Sequence, residues 1–260
     1  MAKLVERATK EALALIARAR IRKLPVQPRR FFPLVGVKTL RSRTDKLGSG
    51  SLNRGEGGYV IEVNAKNTPA ETRFASAHQL AHIIVMVARG DQTSAGNLTI
   101  AEALPACSDR TENEERLCDQ IAAMLLLPPS LAGKWLRIPI TLDGLDQAAR
   151  NADVSPDVAA LVLIPQQTES VVFVSWCRGD SHRASTTWHA SRIVSSLDSG
   201  LSVAKEQAIR DDISKLFNEQ ASGTVVALGD RPRGSRFRIE FRRRRGSNGR
   251  EVISLVWPVQ

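Results

Sequence analysis

The chain has 260 residues, 42% hydrophobic and 25% charged, an ordinary globular composition that excludes general disorder and suffices for one large domain or two to three small ones. Its 37 basic residues outnumber 27 acidic ones and leave a formal charge of +10, a field that attracts polyanions without saying which. Apolar runs such as Ile83 to Ala88 and Met124 to Leu127 fall far short of the roughly 20 residues that cross a bilayer, so no membrane partner is expected.

The N-terminal stretch from Ala2 to about Lys23 repeats Leu4, Ala8, Leu13, Leu15, Ile16 and Ile21 at helical spacing, and Pro25 and Pro28 end it. Glu6 and Glu11 inside this basic helix, with no apolar core and small-residue cleavage site, speak against an export or transit signal, so a cytoplasmic location is expected. Cys107, Cys118 and Cys177 are scattered and odd in number, which fits reduced thiols. From Pro33 to about Gly58 the chain is rich in Gly, Ser, Arg and Lys and predicts short strands and exposed turns. Tyr59 to Val63 alternates as a strand, and Asn64 to Pro69 reads as the turn leaving it.

A second helix is predicted from about Glu71 to Val87, stopping at Arg89-Gly90. After a loop to about Glu112, a third runs to Leu127 and stops at Pro128-Pro129, with Glu112, Glu114 and Glu115 where the helix dipole favours acids. A short helical region from Pro129 to Leu136 precedes a pair of helices between Thr141 and Leu163. Ser155 and Pro156 sit as N-cap and first helical residue of the second, an arrangement like a helix-turn-helix that often serves only packing. Beyond Gln166 the pattern turns to strands at Ser170 to Cys177, Ala184 to His189, Thr224 to Leu228, Phe237 to Phe241 and Val252 to Trp257, with one helix from Val203 to Phe217. Gly246 to Gly249 closes the last hairpin. Asp230 to Arg250 holds nine arginines, and Arg242, Arg243, Arg244 and Arg245 read either as a solvated strand edge or as a contact for nucleic acid or an acidic partner.

Two of the four histidines, His78 and His82, stand four apart on the second helix, so their imidazoles share one face. That spacing suits two ligands of one Zn²⁺ and equally suits two ordinary polar residues. Glu115 and Asp119 repeat the spacing on the third helix. In zinc peptidases built from two such helices, the first carboxylate is the third ligand and the later Asp or Asn accepts a hydrogen bond from a ligand imidazole. Read alone, Glu115 is also a solvated first-turn acid and Asp119 a surface residue. Cys118, between them but turned from their face, reads as a small core residue, and Arg73 and Phe74 as anchors of the helix start.

The segment E-T-R-F-A-S-A-H-Q-L-A-H (Glu71 to His82) is similar to the R-F-x-x-A-H-E-x-x-H of the ImmA/IrrE metallopeptidase family. The segment E-R-L-C-D-Q-I-A-A-M-L-L-L-P (Glu115 to Pro128) resembles that family's E-x-x-x-N/D-x-x-A-A-x-L-L-M-P. The resemblance covers about residues 20 to 135. It implies a zincin-like domain with His78, His82 and Glu115 holding one Zn²⁺ per chain, another divalent metal such as Mn²⁺ being the alternative, and Asp119 backing a ligand. It also implies a Glu general base at the position occupied here by Gln79. A Glu there takes the proton of the attacking water and returns it to the leaving nitrogen, which an amide cannot do. The chain is therefore either an inactivated form of a peptidase or a non-hydrolytic relative.

The expected fold class is α+β: a zincin-like domain over 1–135, a helix-turn-helix-like segment over 136–166, and a β-rich α+β domain over 167–260 for sensing or partner docking. By resemblance the partner is a helix-turn-helix repressor, cleaved by active family members to release stress-response or mobile-element genes. A metal-binding pseudo-peptidase that only captures its partner, and a nucleic-acid-binding regulator using the basic hairpin, are the rivals.

Overall fold

The fold was obtained as a computed structural model, which describes residues 2–44, 50–55, 57–90, 111–136, 140–178, 188–196, 222–228, 236–246 and 249–259. It is α+β and divides into two compact units, residues 1–132 with 149–158, and residues 133–148 with 159–260. The stretch 136–166 contributes to both units. The predicted helix at Val203 to Phe217 and the loop after Asp91 lie outside the described residues.

In the first unit, α1 (Ala2–Arg18) buries Ala8, Ala12, Leu15 and Ile16, one stripe at helical spacing, and packs on the next two helices of the chain. It ends at Arg18, short of the predicted Lys23. There the Ala19 and Arg20 N–H groups bond back to Leu15 and Ala17, and Arg20 turns into the left-handed region at φ 51°. Two 3-10 turns, Pro28–Arg30 and Phe32–Leu34, lead to β1 (Val37–Arg43), β2 (Gly50–Gly55) and β3 (Gly58–Asn64). The sheet order is β1-β3-β2, with β3 parallel to β1 and antiparallel to β2. As the central strand, β3 buries Tyr59, Ile61 and Val63. A Cβ at Gly58 would collide with the Gly36 carbonyl, so glycine is required where β3 enters beside β1.

Helices α2 (Pro69–Arg89) and α3 (Glu112–Leu126) pack on one another. α2 starts in a capping box in which the Glu71 N–H donates to Thr68 Oγ1 and the Thr68 N–H donates to Glu71 Oε2 at 2.8 Å. It stops at Gly90, whose φ of 85° and N–H bonds to the Met86 and Val87 carbonyls form a left-handed C-cap. α3 is capped by Thr111, whose hydroxyl accepts from the Glu114 N–H. A part-buried ion pair, Arg89 to Glu114 at 2.5 Å, ties the end of α2 to the first turn of α3. Arg73 anchors the other end: its guanidinium donates to the Asp153 carboxylate and, at 2.5 Å, to the Ala152 carbonyl. Opposed tethers at the two ends of α2 restrict its sliding and rotation, which is what a site shared by two helices needs.

Beyond α4 (Pro129–Leu136), α5 (Leu142–Ala152) and α6 (Pro156–Leu163) meet at a short turn, and the Ser155 hydroxyl caps α6 through the Val158 N–H. The second unit holds an antiparallel sheet of order β5-β4-β8-β7-β6, from β4 (Val172–Arg178), β5 (Trp188–Ser195), β6 (Ser222–Leu228), β7 (Arg236–Gly246) and β8 (Gly249–Val259). Ala184, where the strand was expected to start, lies outside the described residues; from Trp188 the register of β5 with β4 runs from Arg178↔Trp188 to Val172↔Ser195. Gly246 pairs with Gly249 across the last hairpin, and Ile239 and Phe241 are buried while Arg238 is exposed, the alternation expected of a two-faced strand. Among the described residues no helix is long and apolar enough to cross a membrane.

Candidate metal centre

The i,i+4 pairs on α2 and α3 face each other. His78, His82 and Glu115 each place one ligand atom within 4.8 Å of the others, and among the described residues no other group of His, Cys, Asp and Glu converges in this way. His78 Nε2 lies 3.1 Å from Glu115 Oε2, and His82 Nε2 lies 3.8 Å from Glu115 Oε1. The two imidazoles meet edge to face with centroids 4.7 Å apart, so both present Nε2 to the same carboxylate.

The opposite nitrogen of each ring is held from behind. His78 Nδ1 lies 2.9 Å from Asp119 Oδ1, and because a carboxylate accepts, Nδ1 is the donor there, which leaves the Nε2 lone pair and the Glu115 oxygen side by side as two donors for one cation. His82 Nδ1 lies 3.1 Å from Cys118 Sγ. Cys118 is buried as expected of a core residue, yet it also touches a candidate ligand, a contact that the sequence pattern does not reveal. His82 itself is 3% exposed, whereas the Glu115 side chain is 44% exposed, so the cluster is closed behind His82 and open beside Glu115. That asymmetry leaves solvent and substrate one side of approach.

Gln79 stands about 60° round the helix from His82 and is 5% exposed, with its Oε1 buried and lacking a hydrogen-bond partner in the protein. An orphaned acceptor of this kind costs about 1 to 3 kcal/mol unless something else donates to it, such as a water held at the centre. Two imidazole nitrogens and one carboxylate oxygen converging within 4.8 Å, with an unanswered acceptor alongside, are a donor set that would suit a divalent cation such as Zn²⁺.

The other residues singled out in the sequence either have partners of their own or lie outside the described residues. Arg242 on β7 binds Asp143 and Asp146 of α5, at 2.7 Å to the former, and the Asp143 hydrogen bond raises its pKa further above the usual arginine range. Arg243 is half-buried, and the side chains of Arg244 and Arg245 lie outside the described residues. Cys107 and the side chain of Cys177 also lie outside them.

Residues 30–134, less than half of the chain, match the family model described as the IrrE N-terminal-like domain, Peptidase_M78. The radiation response metalloprotease IrrE of Deinococcus deserti is 32% identical over 121 residues, which is 46% of this chain and 40% of that protein. The chain thus spans about two fifths of the curated relative that it matches. Among solved structures, a Mycobacterium tuberculosis transcriptional regulator superposes with a TM-score of 0.59 over 99% of this chain and 76% of that one, at 12% identity, a likeness of fold.

Proposed function

We propose that this chain, whose residues 30–134 match the model of the IrrE N-terminal-like domain, is a metal-binding regulator that recognises a helix-turn-helix repressor at the α2–α3 cleft. One Zn²⁺ per chain is held by His78, His82 and Glu115, with Mn²⁺ as the alternative, and Asp119 fixes the His78 ring. The observation that carries this reading is the approach of the three ligand atoms to within 4.8 Å on two packed helices, the first of them tethered at both ends. A bound divalent metal supplies Lewis acidity toward a peptide carbonyl and lowers the pKa of water.

How far that chemistry proceeds depends on the chain's own residues. Gln79 occupies the place of the proton shuttle, and its amide accepts a hydrogen bond but neither takes nor returns a proton. General acid/base groups contribute about 10² to 10⁴ in rate, so peptide cleavage by this sequence falls below that of a Glu-bearing relative by that order. Binding does not depend on the shuttle. The name of the curated relative supports a protease ancestry, and the fold shared with a transcriptional regulator fits a regulatory role. The buried, unpartnered Gln79 favours a second reading, a pseudo-peptidase that captures its partner without cutting it.

Elemental analysis of the purified chain, followed by Gln79→Glu assayed against a co-expressed repressor, tests both. About one zinc per chain, and cleavage rising by about 10² to 10⁴ in the variant, supports the peptidase-derived regulator. Metal and repressor binding with no cleavage in either form supports the pseudo-peptidase. Metal-free protein whose function survives chelation and His78→Ala would overturn both.

A further inference from the structure

The two imidazoles of the candidate metal centre are backed by unlike atoms from one stretch of α3. Glu115 faces the Nε2 side of both rings, and the residues three and four places on meet their far nitrogens. Asp119 Oδ1 stands 2.9 Å from His78 Nδ1, and Cys118 Sγ stands 3.1 Å from His82 Nδ1. The carboxylate contact is part-buried, whereas Cys118 is fully buried and His82 nearly so, which shields the thiol and its ring from bulk water.

We propose, on the metal-binding reading above, that Cys118 is a positioning residue: its sulfur accepts a hydrogen bond from the His82 Nδ1–H and so keeps the Nε2 lone pair turned to the cation. One proton can sit on either side of the 3.1 Å contact. If the thiol donated to Nδ1, the ring proton would stand on Nε2, where Glu115 Oε1 is 3.8 Å away, beyond hydrogen-bond reach, and Nε2 would have no lone pair to give. If Nδ1 donates to sulfur, the Nε2 lone pair faces the same carboxylate as that of His78, and the three ligand atoms within 4.8 Å of one another are all free to donate. Sulfur keeps its own proton throughout, directed away from the ring.

A residue that only fills the core at this position need not be an acceptor. Ala122 and Ala123, a turn further along α3, are fully buried without one. The two ligands are then held unequally. A carboxylate is a charged acceptor and a thiol a weak neutral one, so Asp119 fixes His78 strongly, while surrounding packing orients the His82 ring and Cys118 selects its tautomer.

The test compares the full wild-type chain with Cys118→Ala, Cys118→Val and Cys118→Ser. Long-range ¹H–¹⁵N spectra of the metal-free proteins read the His82 tautomer, and competition with a chromophoric chelator reads Zn²⁺ affinity. In the wild type Nε2 should be the unprotonated nitrogen. C118A and C118V, which differ in volume but both lack an acceptor, should shift the ring toward the Nε2–H form and lose about tenfold in affinity. C118S, which retains an acceptor, should fall between them and the wild type. Melting curves of the metal-free proteins show which variants fold, and either of the two apolar ones suffices. An Nε2–H ring in the metal-free wild type, or wild-type tautomer and affinity in a folded C118A or C118V, would overturn the proposal. So would a thiolate-to-metal charge-transfer band in the Co²⁺-loaded chain that C118A abolishes, because sulfur would then be a ligand itself. Should the wild type bind no Zn²⁺, the metal reading falls on its own, and the tautomer still upholds or overturns the role of Cys118.

Discussion

The α2–α3 pair and the five-stranded sheet bury similar kinds of residue and treat their polar atoms in opposite ways. In the sheet the Trp176 indole N–H donates to Ser254 Oγ at 2.9 Å, and the Ser196 hydroxyl accepts from the Val171 N–H at 3.0 Å. Among the described residues, the buried side-chain nitrogens and oxygens without a partner are Arg73 Nε and Gln79 Oε1, both on α2. Buried polar groups that answer one another hold a fold together; Arg73 is bonded through its other nitrogens, so Gln79 Oε1 is the acceptor beside the candidate site that a water or ligand would answer. The sheet is built for stability; the helix pair gives some of it up for a ligand.

The largest effect that sharpens this contrast is on metal affinity. Asp119→Ala removes the acceptor behind His78 Nδ1 and frees the ring to turn, so affinity for Zn²⁺ should fall about 10- to 100-fold while the metal-free melting temperature hardly moves. Asp119→Asn retains an acceptor oxygen and should lose less. Competition with a chromophoric chelator reads the affinity, and calorimetry of the metal-free protein reads the fold. An equal loss in both would make Asp119 a structural residue and dissolve the contrast.

A paired substitution comes next, with opposite signs predicted for the two regions. Ser254→Ala removes the acceptor of the Trp176 N–H in a fully packed sheet and should cost about 1 to 2 kcal/mol in urea unfolding. Gln79→Met replaces an unanswered amide by an apolar side chain of similar length and should stabilise the metal-free protein by about 1 kcal/mol. Should Gln79→Met destabilise by as much as Ser254→Ala, the Gln79 amide belongs to the core rather than to the site.

Legibility in the sequence divides along local and non-local lines. Helical spacing and the Gly90 stop are local signals, and they place α2 and α3 to within two residues, with His78 and His82 on one face of the first and Glu115 and Asp119 on one face of the second. The partner of His82 is not legible. Cys118 reads as core on its own helix, and only the approach of α2 and α3 shows that its sulfur meets an imidazole. Likewise the arginine run suggests an open cationic edge, whereas Asp143 and Asp146, about a hundred residues earlier, occupy Arg242. Non-local charge pairing leaves no trace in the pattern of either segment. Arg73 is the intermediate case: a helix anchor in the sequence, it bonds to a turn 80 residues away.

The smallest effect concerns the one carboxylate that the sheet leaves at a disadvantage. Burial pushes the Glu240 carboxyl above the usual carboxylate range, a backbone hydrogen bond at Leu142 pulls it back, the Asp143 charge adds to the rise, and Arg242 and Arg238 oppose it. In acid, below the unfolded value, both states are protonated and folding loses nothing. Above the raised value both are ionised, and the folded state alone bears the desolvation. Glu240→Gln should therefore stabilise the protein near neutral pH, and the gain should fade as pH drops through the raised value toward the ordinary one of about 4.3. The side chain is only half-buried, which keeps the gain within about 0.5 kcal/mol. Urea midpoints at about pH 7 and about pH 4 measure it. A gain that grew in acid would mean that the Leu142 bond and the two arginines outweigh burial, and the sheet would then hold this carboxylate as a stabilising ion rather than tolerate it.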